Sequence, residues 1–175
     1  RIVEKFEGTK AGDPMDDSSD IGPLARADLR EQLHEQVEQS VAKGATIAVG
    51  GKVPEGKGSF YPATILENVE KGQPAYDDEL FGPVASIIKV QDEAEAVKVA
   101  NDSVYGLGAS IYSSDVEKAE KIAAEQLEAG CCFVNDFGKY VPRLVVCGSK
   151  RSGYGRNLFL YGIREFVNTK TVYVK

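Results

Sequence analysis

Glu79 and Phe81 stand two residues apart in the run DELFGPV, residues 78–84, just before an apolar stretch. A carboxylate can accept two hydrogen bonds from a diol, and an aromatic beside it can cover a flat ring. Taken alone, the pair reads more simply as a solvated acid and a core aromatic. The other reactive types are Cys131, Cys132, Cys147 and the single His34. Cys131 and Cys132 are adjacent on a predicted strand, so they point to opposite faces and suit a buried small-apolar role better than catalysis. Cys147 falls in a predicted loop as the more accessible thiol, with no cationic partner placed beside it. His34 lies at the margin of a helix stripe and reads as a partly solvated helix residue rather than a general base. The cysteines show no CxxC or His/Cys ligand spacing, which argues against a disulfide framework and a structural zinc, and fits a reducing cytoplasm. Neither G-x-G-x-x-G nor a P-loop occurs, and GYGRN at residues 153–157 is too short to count.

The elements that must position these residues follow from periodicity. Leu29, Leu33, Val37 and Val41 recur every four residues and predict an amphipathic helix closed by Gly44. ATIAVGG then predicts a short buried strand, and SFYPATILENV an edge or irregular strand, because Pro62 removes a ladder donor. VASIIKV reads as a strand covered on both faces. Asp92 and Glu95 predict a capped start for the helix carrying Ala96, Val97 and Ala100. GASIYSS is a further strand, and Val116, Ala119, Ala123 and Leu127 mark a helix from about Asp115 that Gly130 would stop. CCFVN is the next strand. This alternation predicts an α/β fold with a mostly parallel twisted sheet and crossover helices. Residues 136–157 form a long Gly/Lys/Arg-rich loop, and loops of that length in a compact domain are commonly functional.

With 175 residues, 42% of them hydrophobic, the chain is long enough for one domain with a real core. The net charge of −6 is uneven: residues 136–175 hold eight Lys or Arg against two acids, so residues 1–135 carry −12. A basic tail beside an acidic body packs on its own or a sister subunit's acidic surface, and no basic-aromatic motif of a nucleic-acid module accompanies it. No apolar run is long enough to span a membrane, and no signal-peptide pattern opens the chain, although its start at Arg1 rather than Met leaves room for upstream sequence. FVNTKTVYVK, residues 166–175, predicts a terminal strand that needs a partner edge, which a second subunit can supply.

Five stretches in order, GDPMDDSSDIGPL (12–24), DELFGPV (78–84), ANDSVYGLGASIY (100–112), GCCFVN (130–135) and KRSGYGR (150–156), together resemble the C-terminal part of the NAD(P)-dependent aldehyde dehydrogenase family. The flavour is closest to succinate-semialdehyde dehydrogenase-like members. The resemblance implies that residues 1–165 are a partial catalytic domain, with 136–157 as the substrate-entrance loop and 166–175 as an oligomerisation strand of a homo-oligomer, dimer or tetramer. It implies that Glu79 accepts hydrogen bonds from the nicotinamide ribose and that Phe81 lies against the nicotinamide side. Asn135 falls at a position near the active site, where it would hold backbone groups in place. Phe137, Tyr140 and Val146 fall where side chains line the substrate pocket, and Arg143 is placed to anchor an acidic aldehyde through a carboxylate fork, although it also reads as a surface arginine.

By the same resemblance, the nucleophilic cysteine, the general-base glutamate, the oxyanion asparagine and the cofactor domain all lie upstream of the region matched. None of the three cysteines here falls at the nucleophile's position. The expectation is therefore a fragment that is inactive alone and binds no cofactor alone, while the whole enzyme oxidises an aldehyde, in one reading succinate semialdehyde, with NAD or NADP. Two departures stand out: Val145, Val146, Cys147 and Gly148 replace the usual P-F-G-G, and Asn157 replaces the usual Glu. The alternatives are a non-catalytic association module, and an independent thiol enzyme using Cys147 with His34.

Overall fold

The computed structural model describes residues 1–175 and divides into two compact units, Arg1–Lys89 and Val90–Lys175, where the chain length suggested one domain. Each closes its own small sheets, so the mostly parallel continuous sheet expected from the alternation is replaced by mixed sheets of two or three strands.

The first unit opens with α1 (Ile2–Glu7) and α2 (Ala27–Ala42), followed by β1 (Thr46–Val49), β2 (Thr64–Glu67), α3 (Pro74–Asp77) and β3 (Val84–Ser86). Leu33 and Val37 of α2 are fully buried, but Val41 is exposed and Ser40 takes its place in the core. The helical repeat explains this. Four residues advance about 400°, so a four-residue stripe drifts by about 40° a step and leaves the core by its last member. Ser40 is tolerated there because its hydroxyl donates to the Gln36 carbonyl at 2.7 Å and accepts from the Ala75 amide at 2.9 Å. Gly44 closes the helix at φ +110, a conformation that a β-carbon disfavours.

The three strands lie in the order β1-β2-β3, with β1 antiparallel and β3 parallel to β2. Two expectations change here. β1 is an edge strand that is half open rather than buried, and β2 is central rather than an edge. Pro62 is no obstacle, because it lies before the strand and its missing donor falls outside the ladder. β3 is also shorter than the apolar run that announced it, though the Ile87 amide still donates to Leu66 O at 2.8 Å. Leu33, Val37, Ala45, Tyr61, Leu66, Val69 and Ala75 form the core, with Leu24, Leu80, Val84 and Ile88 packed around it.

The second unit runs α4 (Glu93–Asn101), β4 (Tyr105–Gly106), β5 (Gly108–Ile111), α5 (Val116–Glu125), β6 (Cys131–Val134), β7 (Val146–Cys147), β8 (Ser149–Lys150), β9 (Arg156–Asn157) and α6 (Phe159–Arg164). Both α4 and α5 start as their caps dictate: Asp92 accepts from the Glu95 amide at 2.8 Å, and Asp115 from the Lys118 amide at 3.1 Å. β5, α5 and β6 form one parallel crossover unit, with Gly108 opposite Cys131 and Ile111 opposite Val134.

α5 ends at Glu125, ahead of Gly130, and buries Ala119 and Ile122 while Val116 stays exposed. Gly130 is needed for another reason: a β-carbon there would run into the Cys147 carbonyl. The long loop of residues 136–157 is interrupted by β7, β8 and β9, which form two-residue antiparallel pairs, β4 with β8 and β7 with β9. Residues 168–175 carry no regular structure and expose Val172, Tyr173 and Val174.

Leu33→Ala is expected to destabilise the first unit by about 2–5 kcal/mol, because the lost methyl groups leave a cavity in a closed core. Asp92→Ala should cost only about 1 kcal/mol, through an exposed cap. Urea unfolding of the two variants side by side measures the contrast.

Candidate functional site

The turn carrying Glu79 and Phe81 is braced from below. Asp78 N donates to Pro74 O at 2.9 Å, Gly82 N to Leu80 O and Val84 N to Gly82 O at 2.8 Å each, and Thr64 N to Pro83 O at 2.9 Å. Around this turn Leu80 packs on the core while Glu79 and Phe81 face solvent. Gly82 permits this geometry, because a β-carbon there would overlap the Leu33 side chain. Gln36 Nε2 adds a further brace by donating to the Glu79 carbonyl at 3.3 Å. Phe81 is 71% exposed, so it is not the core aromatic that its type alone suggests. A fixed turn therefore presents an anionic acceptor and an uncovered aromatic face.

In the second unit, Asn135 ends β6 in the left-handed region at φ 55. Its amide makes a two-point bond to the backbone of Ser113, accepting from the Ser113 amide at 2.9 Å and donating to the Ser113 carbonyl at 2.8 Å. Asn135 N also donates to Ile111 O at 2.7 Å, so this one residue ties off the ends of both parallel strands. The loop then starts in a fixed way. Asp136 accepts from the Phe137 amide at 2.9 Å and from Lys139 Nζ at 2.7 Å, and the ammonium sits 5.0 Å from the Phe137 ring centroid. The Lys139 hydrogen bond, then that of the Phe137 amide, holds the Asp136 carboxyl below the usual carboxylate range.

Phe137, Tyr140 and Arg143 are exposed, whereas Val146 is buried in β7, with its side chain turned inward rather than forming an open wall. Tyr140 joins Pro142, Leu158, Phe159, Ile163 and Phe166 around an open groove of about 660 Å³; Phe137 and Arg143 do not line it. The thiols are half-buried and free. Cys131 donates to Val145 O at 3.6 Å, and Cys147 to Gly130 O at 3.3 Å. Burial, then the neighbouring Cys131, pushes the Cys132 thiol up. Cys147 thus belongs to a strand, not to an accessible loop.

Sequence reasoning missed the network around Tyr61. His34 Nδ1 lies 3.1 Å from the Tyr61 hydroxyl, and His34 Nε2 lies 3.5 Å from Glu38 Oε1. Nδ1 is therefore engaged with Tyr61, while Nε2 lies near the Glu38 carboxylate on the same helix. Burial, then the negative charge of Glu38, pushes the Tyr61 phenol up to about 12.

The sequence profile of the aldehyde dehydrogenase family matches residues 1–172. The chain is 42% identical over 173 residues to the NAD(P)+ succinate semialdehyde dehydrogenase of Escherichia coli (strain K12), covering 99% of this chain and 37% of that protein. It is 41% identical over 174 residues to the NADP(+) succinate-semialdehyde dehydrogenase of Mycobacterium avium (strain 104), with the same coverages, 99% and 37%. Among solved structures, it superposes on succinic semialdehyde dehydrogenase from Streptococcus pyogenes, in complex with NADP+, with a TM-score of 0.94 and 39% identity over 99% of this chain and 38% of that one. Betaine aldehyde dehydrogenase from Staphylococcus aureus, in complex with NAD+, matches with a TM-score of 0.89 and 33% identity over 94% of this chain and 33% of that one. The chain belongs to the aldehyde dehydrogenase family, and its fold is the family's α/β fold. It spans little more than a third of the length of these relatives.

Asn135→Ala should free the Ser113 amide and leave a residue other than Gly or Asn in the left-handed region, a loss of about 1–3 kcal/mol. Amide exchange at Ser113 and Asn135 reads it directly. For Tyr61, the raised phenol favours the folded state below pH 10, and that contribution is lost as pH rises toward 12. Phenolate absorbance titration should show one of the eight tyrosines ionising last, and Tyr61→Phe should remove that step.

Proposed function

We propose that this chain supplies part of the catalytic centre of an aldehyde dehydrogenase that oxidises an aldehyde, specifically succinate semialdehyde, to the carboxylic acid with NAD(P)+. The observation that carries this is the family match over residues 1–172, with relatives at 41% and 42% identity named for that substrate. NAD(P)+, when bound, accepts the hydride that leaves the aldehyde carbon. In this chain, Glu79 would accept from the nicotinamide ribose hydroxyls, and Phe81 would give the ring an apolar wall. Their exposure on a braced turn fits both roles, since neither needs to be released from the core before it can bind. Phe137 and Tyr140 would contribute apolar surface to the substrate entrance, with Arg143 as the fork for a distal carboxylate. Val146 would support the entrance from beneath, in keeping with its burial. Asn135 would act only through the backbone it holds.

The chain lacks a thiol at the family's nucleophile position, so it is inactive alone, and a cofactor bound through one wall has too few contacts to be retained. In the whole enzyme, the β5–α5–β6 unit joins a larger, mostly parallel sheet with crossover helices. Residues 166–175 pair as a strand across a homodimer or homotetramer, in the cytoplasm. No helix of the structure is long and apolar enough to cross a membrane.

A chimera in which this chain replaces the matching region of the Streptococcus pyogenes enzyme tests the reading. Glu79→Gln should raise the cofactor KM by about 10–100-fold, the loss of charge-assisted hydrogen bonds. Arg143→Ala should raise the KM for succinate semialdehyde by a similar factor and leave that for a neutral aldehyde unchanged. A chimera whose cofactor KM is unmoved by Glu79→Gln would remove the role given to that residue.

A further inference from the structure

Residues 149–152 form a knot of polar bonds around a single ammonium. Lys150 Nζ donates to the Asn101 carbonyl at 2.7 Å and the Ser103 carbonyl at 3.1 Å, and pairs with Glu128 Oε2 at 2.7 Å. Three acceptors match the three N–H bonds of an ammonium, and only 24% of the side chain is exposed. One of the acceptors, Asn101, is held in place independently of the lysine. Asn101 ends α4, and its side chain donates to Gln126 O at 2.7 Å and accepts from the Glu128 amide at 2.9 Å.

Neighbouring bonds seat the motif strand itself. Ser149 Oγ lies 3.0 Å from both the Gly106 and the Glu128 carbonyls, Gly106 N donates to Ser152 Oγ at 3.0 Å, and Arg151 N donates to Val104 O at 2.9 Å. Lys150 sits at φ 51, in the left-handed region that a β-carbon disfavours. A strained backbone thus delivers a charge into a ready-made set of oxygens. Backbone carbonyls that take the place of hydration water are the donor set of a monovalent cation, and an ammonium is close to potassium in size.

We propose that Lys150 is a tethered monovalent cation: its ammonium fills a site built from Asn101 O, Ser103 O and the Glu128 carboxylate that a free potassium or ammonium ion would otherwise fill. The charge holds the end of α4 to the turn that follows α5. Glu128 is the lesser contributor, because its side chain is 60% exposed and solvent screens it. The site stands or falls independently of the dehydrogenase assignment, since its test reads stability rather than activity.

In the 175-residue chain, Lys150→Ala should lower the thermal midpoint by about 5 °C. Potassium chloride or ammonium chloride should restore most of that loss, and tetramethylammonium chloride at equal ionic strength should restore none, because it is too bulky for the site. An unchanged midpoint, or equal recovery in all three salts, overturns the proposal. Lys150→Met keeps the hydrocarbon stem without the charge, and serves where the alanine variant does not fold. Its Gly106 and Arg151 amides should exchange at least tenfold faster than in the parent chain, and parental protection there overturns the proposal equally.

Discussion

The close approach of Leu33 of α2 to Gly82 sets one side of the turn that exposes Glu79 and Phe81. A helix side chain that is 1% exposed reaches the turn backbone only because residue 82 has no β-carbon. With the turn set against α2, Leu80 packs on the core and Glu79 and Phe81 stay exposed. The acid and the aromatic are thus presented by core packing together with the hydrogen bonds that brace the turn, among them that of Gln36 to the Glu79 carbonyl. The stability of the hydrophobic cluster and the geometry of the exposed pair are one property.

The second unit uses the opposite device. Its parallel pair β5–β6 is only four residues long, too short to define its ends by packing. Asn135 supplies polar fixation instead, with both faces of its amide bonded to the Ser113 backbone. From that fixed point the loop carrying Phe137, Tyr140 and Arg143 departs in a set direction, through the Asp136–Lys139 pair at 2.7 Å. The starts of α4 and α5, the ends of β5 and β6 and the origin of the loop rest on short polar side chains that answer nearby backbone groups.

What was legible in the sequence was local. The capped start at Asp92 was legible and the structure shows it, as it shows the helix that begins after Asp115. The stripe of α2 was visible, but not its drift, because four-residue spacing only approximates the helical turn. Strand context was not legible: whether Pro62 belonged to an edge or preceded a central strand depended on partners far away in the chain. The grouping of the strands into small mixed sheets was not legible for the same reason, since alternation of strands and helices does not say which strands meet. At the candidate site, composition argued for a buried Phe81 and an open Cys147, and packing reversed both. The Lys150 site left no local trace, because its partners lie 22 to 49 residues away in sequence; the separation from Ser103 is 47 and from Asn101 is 49.

Residues 168–175 carry no regular structure to hold them in place. Any surface that took this segment up would have to immobilise it, at about 1–2 kcal/mol for each residue fixed. Val172, Tyr173 and Val174 offer apolar area to offset that, and little else does. Ordering of this segment would therefore sit close to balance, with conformational entropy set against a small apolar gain.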